Sequence, residues 1–292
     1  MLTADEARQL DRLAIGAATS VPATGASGAR ISRARGSGLE FREFRRYEPG
    51  DDPRAIDWMV HARLRQLVVR VHRADAHLKV HILLDTSGSM SAGAPDKLTT
   101  AKKAAAMIAY IAAGRRDAVG LACFDDTIRL RMAPASGRQQ THRVFEALAP
   151  LAAAGRSDLN QALSRYAGVA EGPGLAVVIS DFFHANEAFE GLRVLLHRGL
   201  PPAVVQVVAP EELDPEDDAE VELVDIEDPH APPVIVDALV AAEYRSRMAT
   251  LSARLGEFCI TRGLSYVRLT ASSSFGQLLR ACLDASLLAG PG

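Results

Sequence analysis

The sequence predicts a doubly wound α/β domain built on a mostly parallel sheet and preceded by an arginine-rich leader segment. Three observations carry that expectation. Short, almost wholly apolar runs recur from residue 79 onward, as in strands buried on both faces. Segments with apolar residues at helical spacing separate those runs. Oxygen-bearing side chains follow several of the runs, where open α/β sheets build their sites.

Taken in chain order, Thr3 and Glu6 fit a capping box, and Ala7, Leu10, Ala14 and Ala17 continue at helical spacing. The stretch 17–28 loses periodicity and reads as a linker, so residues 1–35 are expected to be an N-terminal helix and a flexible connection. Residues 36–76 form the leader. There Leu39 and Phe41 alternate as in a strand, and Tyr47-Glu48-Pro49-Gly50 reads as a turn. Asp52-Pro53 supplies a helix cap followed by proline, with a short helix through Trp58. Leu67, Val69 and Val71 alternate as a further strand. Exposed together, Phe41, Phe44, Tyr47 and Trp58 would be costly, so the leader is expected to dock on the rest of the chain with Trp58 enclosed.

Residues 77–292 form the α/β domain. Val80–Leu84 is the first buried strand, and Leu98, Ala101, Ala105, Ile108 and Ala112 mark one helix face. Residues 119–124 and 128–132 flank an Asp125-Asp126 turn and suggest an antiparallel edge pair. Helices are expected at 138–151 and 158–169, and buried strands at 175–180, 204–208 and 264–269. Tyr244, Met248, Leu251, Leu255 and Phe258 give the apolar stripe of a helix packed on the sheet.

Composition narrows the function classes. The chain has 292 residues, 48% hydrophobic and 24% charged, which excludes disordered and fibrous classes. No apolar run approaches the roughly 18 residues of a membrane span, and the acidic N-terminus is unlike a signal peptide, so a cytoplasmic location is expected. Cys123, Cys259 and Cys282 share no short spacing and read as core residues rather than a metal or disulfide set. The formal charge of −3 conceals segregation: residues 30–73 hold 11 Arg against 6 acids, and residues 211–228 hold 11 acids and no base.

Three loops at strand ends carry hard oxygen donors. Asp85-Thr86-Ser87-Gly88-Ser89 follows the first strand, Ser157-Asp158 stands at a helix start, and Asp181 follows the run 175–180. Ser157 or Asp158 alone suits a helix cap, and Asp181 alone suits another. A D-x-S-x-S after a buried strand is more specific, and the three loops together favour a hard cation that keeps some of its water.

These residues resemble the metal-ion-dependent adhesion site of von Willebrand factor A domains, a Rossmann-type fold. The leader, with Gly38-Leu39-Glu40-Phe41, Arg46-Tyr47, Gly50-Asp51-Asp52-Pro53-Arg54, Ile56-Asp57-Trp58 and Ala62-Arg63, resembles the bacterial domain-of-unknown-function family fifty-eight. That family pairs such a leader with an A-type domain and is commonly encoded beside MoxR-type AAA+ ATPases. The resemblance implies a non-catalytic interaction module with Mg²⁺, or Mn²⁺ or Ca²⁺, held by Asp85, Ser87, Ser89, Ser157 and Asp181. Asp181 is expected to act through water. A protein partner is then expected to offer an Asp or Glu to the metal, with a MoxR-type ATPase as candidate in assembly or maturation of a complex. Ser157 stands where the family pattern usually has Thr; the hydroxyl is kept and the methyl is lost. Backbone N–H groups near Ser89 and Ser157 are expected to favour the incoming anion.

The alternative is a Mg²⁺-dependent hydrolase or phosphatase using Asp85 or Ser87. A phosphatase of the haloacid dehalogenase type wants a second Asp where Ser87 stands, and neither G-x-S-x-G nor a phosphate-binding P-loop occurs. Nucleic-acid binding is not expected, because acids interleave with the leader's arginines. The acidic stretch 211–228 reads as a solvated loop and edge, and His184 as a surface residue at a helix start.

Overall fold

The computed structural model describes residues 2–16, 40–48, 56–73, 77–183, 185–213, 221–223, 226–227, 230, 234–236 and 238–290. The expected linker at 17–28, the leader's start through Leu39, Pro49–Gly50, the Asp52–Pro53 cap and His184 lie outside these residues. The chain divides into two compact units, Ala23–His77 and a larger one of Met1–Pro22 with Leu78–Gly292.

In the larger unit, α1 (Ala4–Leu10) starts at the expected box: the Thr3 hydroxyl accepts from the Glu6 N–H, and the Glu6 carboxylate accepts from the Thr3 N–H. The helix stops at Leu10 rather than running to Ala17. Ala14–Ile15 instead forms β1, and a buried Leu10, Leu13 and Ile15 join the main core.

In the smaller unit, β2 (Glu40–Arg46) and β3 (Val68–Arg73) pair antiparallel with α2 (Trp58–Leu64) between them. The helix begins where the sequence suggested it would end. Its cap is Asp57, whose Oδ1 accepts from the N–H groups of Met59 at 2.9 Å and Val60 at 3.1 Å. Trp58, the helix's first residue, is 60% exposed and edge-on to the His61 ring.

The remaining elements of the larger unit alternate: β4 (Lys79–Asp85), α3 (Lys97–Gly114), β5 (Ala118–Phe124), β6 (Ile128–Ala135), α4 (Arg138–Leu148), α5 (Leu159–Val169), β7 (Leu175–Ser180), α6 (Ala185–His197), β8 (Pro202–Val208), α7 (Pro210–Leu213), β9 (Val221–Leu223), β10 (Val234–Val236), α8 (Ala238–Ile260), β11 (Tyr266–Thr270), α9 (Phe275–Asp284) and β12 (Leu288–Ala289). Six strands make one sheet in the order β11-β8-β7-β4-β5-β6, parallel except for β6, which is the antiparallel edge expected from the Asp125-Asp126 turn. β12 closes against β1, tying the two ends of the chain together.

Successive strand residues serve opposite faces. Val80, Ile82 and Leu84 of β4 pack into one core with α1, α3, α4 and α9, whereas Leu83 packs into the other with α5, α6 and α8. The sheet is therefore covered on both sides, which is why its central strands are apolar throughout. β4 is the pivot: the chain leaves it toward β5 on one flank and returns as β7 on the other. The crevice beyond the carboxyl ends of β4 and β7 is thus the topological switch point of the sheet. Among the described residues, no helix is long and apolar enough to cross a membrane.

Candidate functional site

Asp85 and Ser180 are the last residues of β4 and β7, with Asp181 one residue beyond, so parallel pairing alone brings the first and third loops together. Backbone bonds stitch the second loop to them. The Thr86 N–H donates to the Phe124 carbonyl at 2.7 Å, Ala154 N–H to Thr86 O at 2.8 Å, and Gly88 N–H to Gly155 O at 2.9 Å. Gly155 has φ +86°, and a Cβ there would stand 2.7 Å from Asp125 Oδ2, so both its conformation and its space call for glycine.

The side chains converge accordingly. Asp85 is fully buried; its Oδ1 accepts from Ser87 N–H at 2.9 Å and its Oδ2 from the Ser180 hydroxyl at 2.7 Å. Ser87 and Ser89 hold their hydroxyl oxygens 3.1 Å apart. Ser157 is linked to Ser89 through one carboxylate: Glu227 Oε1 accepts from Ser89 N–H at 3.2 Å, and its Oε2 from Ser157 N–H at 2.8 Å. Asp158, by contrast, caps α5 through Gln161 N–H at 2.8 Å. The five residues singled out from sequence therefore lie around one crevice, and Asp158 serves as a helix cap.

Asp181 is occupied on both oxygens. Its Oδ1 accepts from Phe183 N–H at 3.1 Å and its Oδ2 from the Lys97 ammonium at 2.7 Å. Lys97, the first residue of α3, is wholly buried and also reaches Glu212 Oε1 at 2.5 Å, with the Phe183 ring 5.4 Å away. Burial pulls the pKa of Lys97 down, but the carboxylates of Asp181 and Glu212 outweigh it and hold it above the ordinary lysine value. Burial raises that of Glu212 despite the ammonium beside it.

The electrostatics of Asp85 are different. Burial, then the charge of Asp181, push its carboxyl up to about 7, against the pull of its hydrogen bonds to Ser87 and Ser180. Among the described residues, no cationic side chain bonds Asp85. A buried carboxylate with this deficit, two hydroxyls beside it and a second carboxylate on the next strand form an all-oxygen set suited to a hard divalent cation. The set is poor in carboxylates: among the described residues no three His, Cys, Asp or Glu side chains group as a metal site. Thiolate chemistry is absent here, because the three cysteines are buried and burial pushes each thiol up to about 12.

Sequence reasoning missed Ser180, Lys97, Glu212 and Glu227. Ser180 ends a strand as Asp85 does, and that placement was the available signal. Lys97 at a helix start reads locally as a surface residue. Glu212 and Glu227 belong to the stretch expected to be solvated, yet both turn inward.

The family described as protein of unknown function DUF58 matches residues 43–254. The chain belongs to the DUF58 family. Uncharacterized proteins of Mycobacterium bovis and Mycobacterium tuberculosis are 35% identical to this DUF58 chain over 198 residues, 66% of it and 60% of their own length. The chain thus spans about 60% of the curated relatives it matches. Among solved structures, the conserved hypothetical protein BatB from Bacteroides thetaiotaomicron and an aerotolerance-related membrane protein from Bacteroides fragilis each align with 72% of this chain and 98% of theirs, at TM-score 0.47 and 17% identity.

Proposed function

We propose that this DUF58 protein is a metal-dependent protein-interaction module of the von Willebrand factor A type, without catalytic activity of its own. The observation that carries the reading is Asp85: a fully buried carboxylate whose hydrogen bonds come from Ser87 and Ser180 and not from a cation among the described residues, while the ammonium of Lys97 is spent on Asp181 and Glu212. A divalent cation supplies the missing charge and a Lewis-acidic position for a carboxylate ligand. Asp85 and the hydroxyls of Ser87, Ser89 and Ser157 would hold it, with Asp181, already bonded on both oxygens, acting through water.

Against a hydrolase, the Ser87 hydroxyl meets the Ser89 hydroxyl, and among the described residues no His or Lys stands beside it as a base. The partner in this reading is a protein presenting an Asp or Glu. Membership of DUF58, a family commonly encoded beside MoxR-type AAA+ ATPases, makes such an ATPase the first candidate, in assembly or maturation of a complex.

Thermal denaturation with Mg²⁺ and with chelator tests the metal. At about 100 times the dissociation constant, binding to the folded state adds about 2.7 kcal/mol, and Asp85→Ala abolishes that increment. A MoxR-type ATPase from the same organism should then bind in Mg²⁺ and dissociate in chelator. An equal Mg²⁺ shift in Asp85→Ala overturns the metal site, and a complex indifferent to chelation overturns its role in docking.

A further inference from the structure

Between β8 and α8 the described residues include α7, the strands β9 and β10, and Ile226 and Glu227. At its base, Glu212 of α7 binds the buried Lys97, and its own Oε2 accepts from Ala209 N–H at 2.8 Å. Further on, β9 and β10 pair antiparallel with each other and form a two-stranded sheet separate from the six-stranded one. The connection between them carries Ile226 and Glu227. Ile226 and Glu227 lie against the Asp85 loop: a Cβ added at Gly88 would stand 3.4 Å from Ile226 Cγ2 and 3.5 Å from Glu227 Cγ.

Glu227 places one oxygen on the N–H of Ser89 and the other on the N–H of Ser157, at 3.2 and 2.8 Å. Those donors come from two different loops, and both loops carry hydroxyls of the candidate cation set. The two N–H groups converge on one carboxylate, a charge-assisted arrangement that recognises a planar two-oxygen anion. The carboxylate thus sits on the two loops that carry Ser87, Ser89 and Ser157 of the candidate cation set. The strands on either side of it in the sequence, β9 and β10, pair with each other and not with the six-stranded sheet.

We propose that Glu227 is an internal occupant of the position where a partner's carboxylate docks, so that the free protein holds its own binding site closed. The proposal rests on the interaction-module reading and deepens it. The ligand class is an Asp or Glu side chain, and Glu227 is the intramolecular competitor that such a side chain displaces. An external carboxylate binds only the fraction of molecules in which Glu227 has left. If Glu227 is seated in about 90–99% of molecules, its removal raises apparent affinity about 10- to 100-fold.

The experiment follows the backbone amide resonances of Ser89 and Ser157 in the full chain, with Mg²⁺ and with chelator. N-acetyl-glutamate N-methylamide, a single Glu side chain on a neutral backbone, is titrated into the parent, Glu227→Ala and Glu227→Gln. Saturable shifts of both amides at probe concentrations at least tenfold lower in Glu227→Ala than in the parent are expected. Glu227→Gln, which keeps the size and one acceptor without the charge, is expected to lie between them and guards against collapse of the alanine variant's loop. Equal response in parent and variants, or response in none, overturns the inference. So does an Mg²⁺ affinity at least tenfold weaker in Glu227→Ala without gain of probe binding, since Glu227 would then be a permanent ligand. Probe binding gained in Glu227→Ala while Mg²⁺ shifts no resonance leaves the internal occupant standing and removes the metal reading.

Discussion

Replacing Lys97 by Met removes the one cation that, among the described residues, answers two inward-facing carboxylates, while keeping the volume and length of the side chain. Lys97 is wholly buried, and the side chains of its partners Asp181 and Glu212 are 2% and 14% exposed. Water therefore cannot take over from the ammonium. Breaking a buried ion pair from one side costs about 3–5 kcal/mol, because the partner keeps its desolvation penalty and loses its compensation. Here two partners lose it together, and Asp85 already stands close enough to Asp181 for their charges to repel. The volume-conserving substitution adds little cavity cost, so the electrostatic loss dominates. At about 2–4 °C per kcal/mol for a chain of this size, the midpoint of thermal unfolding in chelator falls by about 6–20 °C. Glu212→Leu on the Lys97→Met background removes one stranded carboxylate and recovers part of the loss, a coupling of about 0.5–3 kcal/mol in a double-mutant cycle. A fall of less than about 1 kcal/mol in Lys97→Met, or strict additivity in the cycle, would refute the view that Lys97 acts as an internal counter-ion.

Two further outcomes follow from the packing. His81 lies in the core on β4, with Nδ1 2.8 Å from the Tyr166 hydroxyl; burial, then the charges of Lys79 and Arg131, push its pKa down to about 4. Between the unfolded value of 6.5 and about 4, the unfolded chain takes up a proton that the folded chain refuses. The contribution of His81 is therefore full above pH 6.5 and falls by about 3 kcal/mol as the pH drops through 4, opposite in sign to that of the raised Asp85 carboxyl, so the difference in slope between the parent and His81→Phe in pH-dependent denaturation reads it out. A parent-like slope in the variant would assign it elsewhere. Trp58→Ala should change stability by less than about 1 kcal/mol, because its side chain is 60% exposed; a loss of 3 kcal/mol or more in denaturant melts would show it to be enclosed in solution.

The sequence by itself determined the elements and their faces, and with them the three loops of the site. Strand runs such as 175–180, the alternation inside β4 and the apolar stripe of α8 are set by neighbours a few residues apart, where local sterics and hydrophobic period decide. Once parallel strands are read, the residues after them must share the carboxyl edge, which groups Asp85, Ser87, Ser89 and Asp181 without coordinates; Ser157, which follows a helix, joins them through the resemblance to the adhesion site. Local pattern failed where the deciding partner is distant. The first helix ends at Leu10 because Ala14–Ile15 pairs with Leu288–Ala289 at the other end of the chain, and no local signal marks so short a strand. Lys97 opens a capped helix with Asp96 before it, which reads as a solvated start; only the placement of Asp181 and Glu212 makes its burial tolerable. Glu227 stands 138 residues from Ser89, in a run of acids that composition assigns to water. Its inward turn is decided by two N–H groups that only the folded loops bring together, since a carboxylate's hydrogen-bond partners are a property of three-dimensional position and not of sequence spacing.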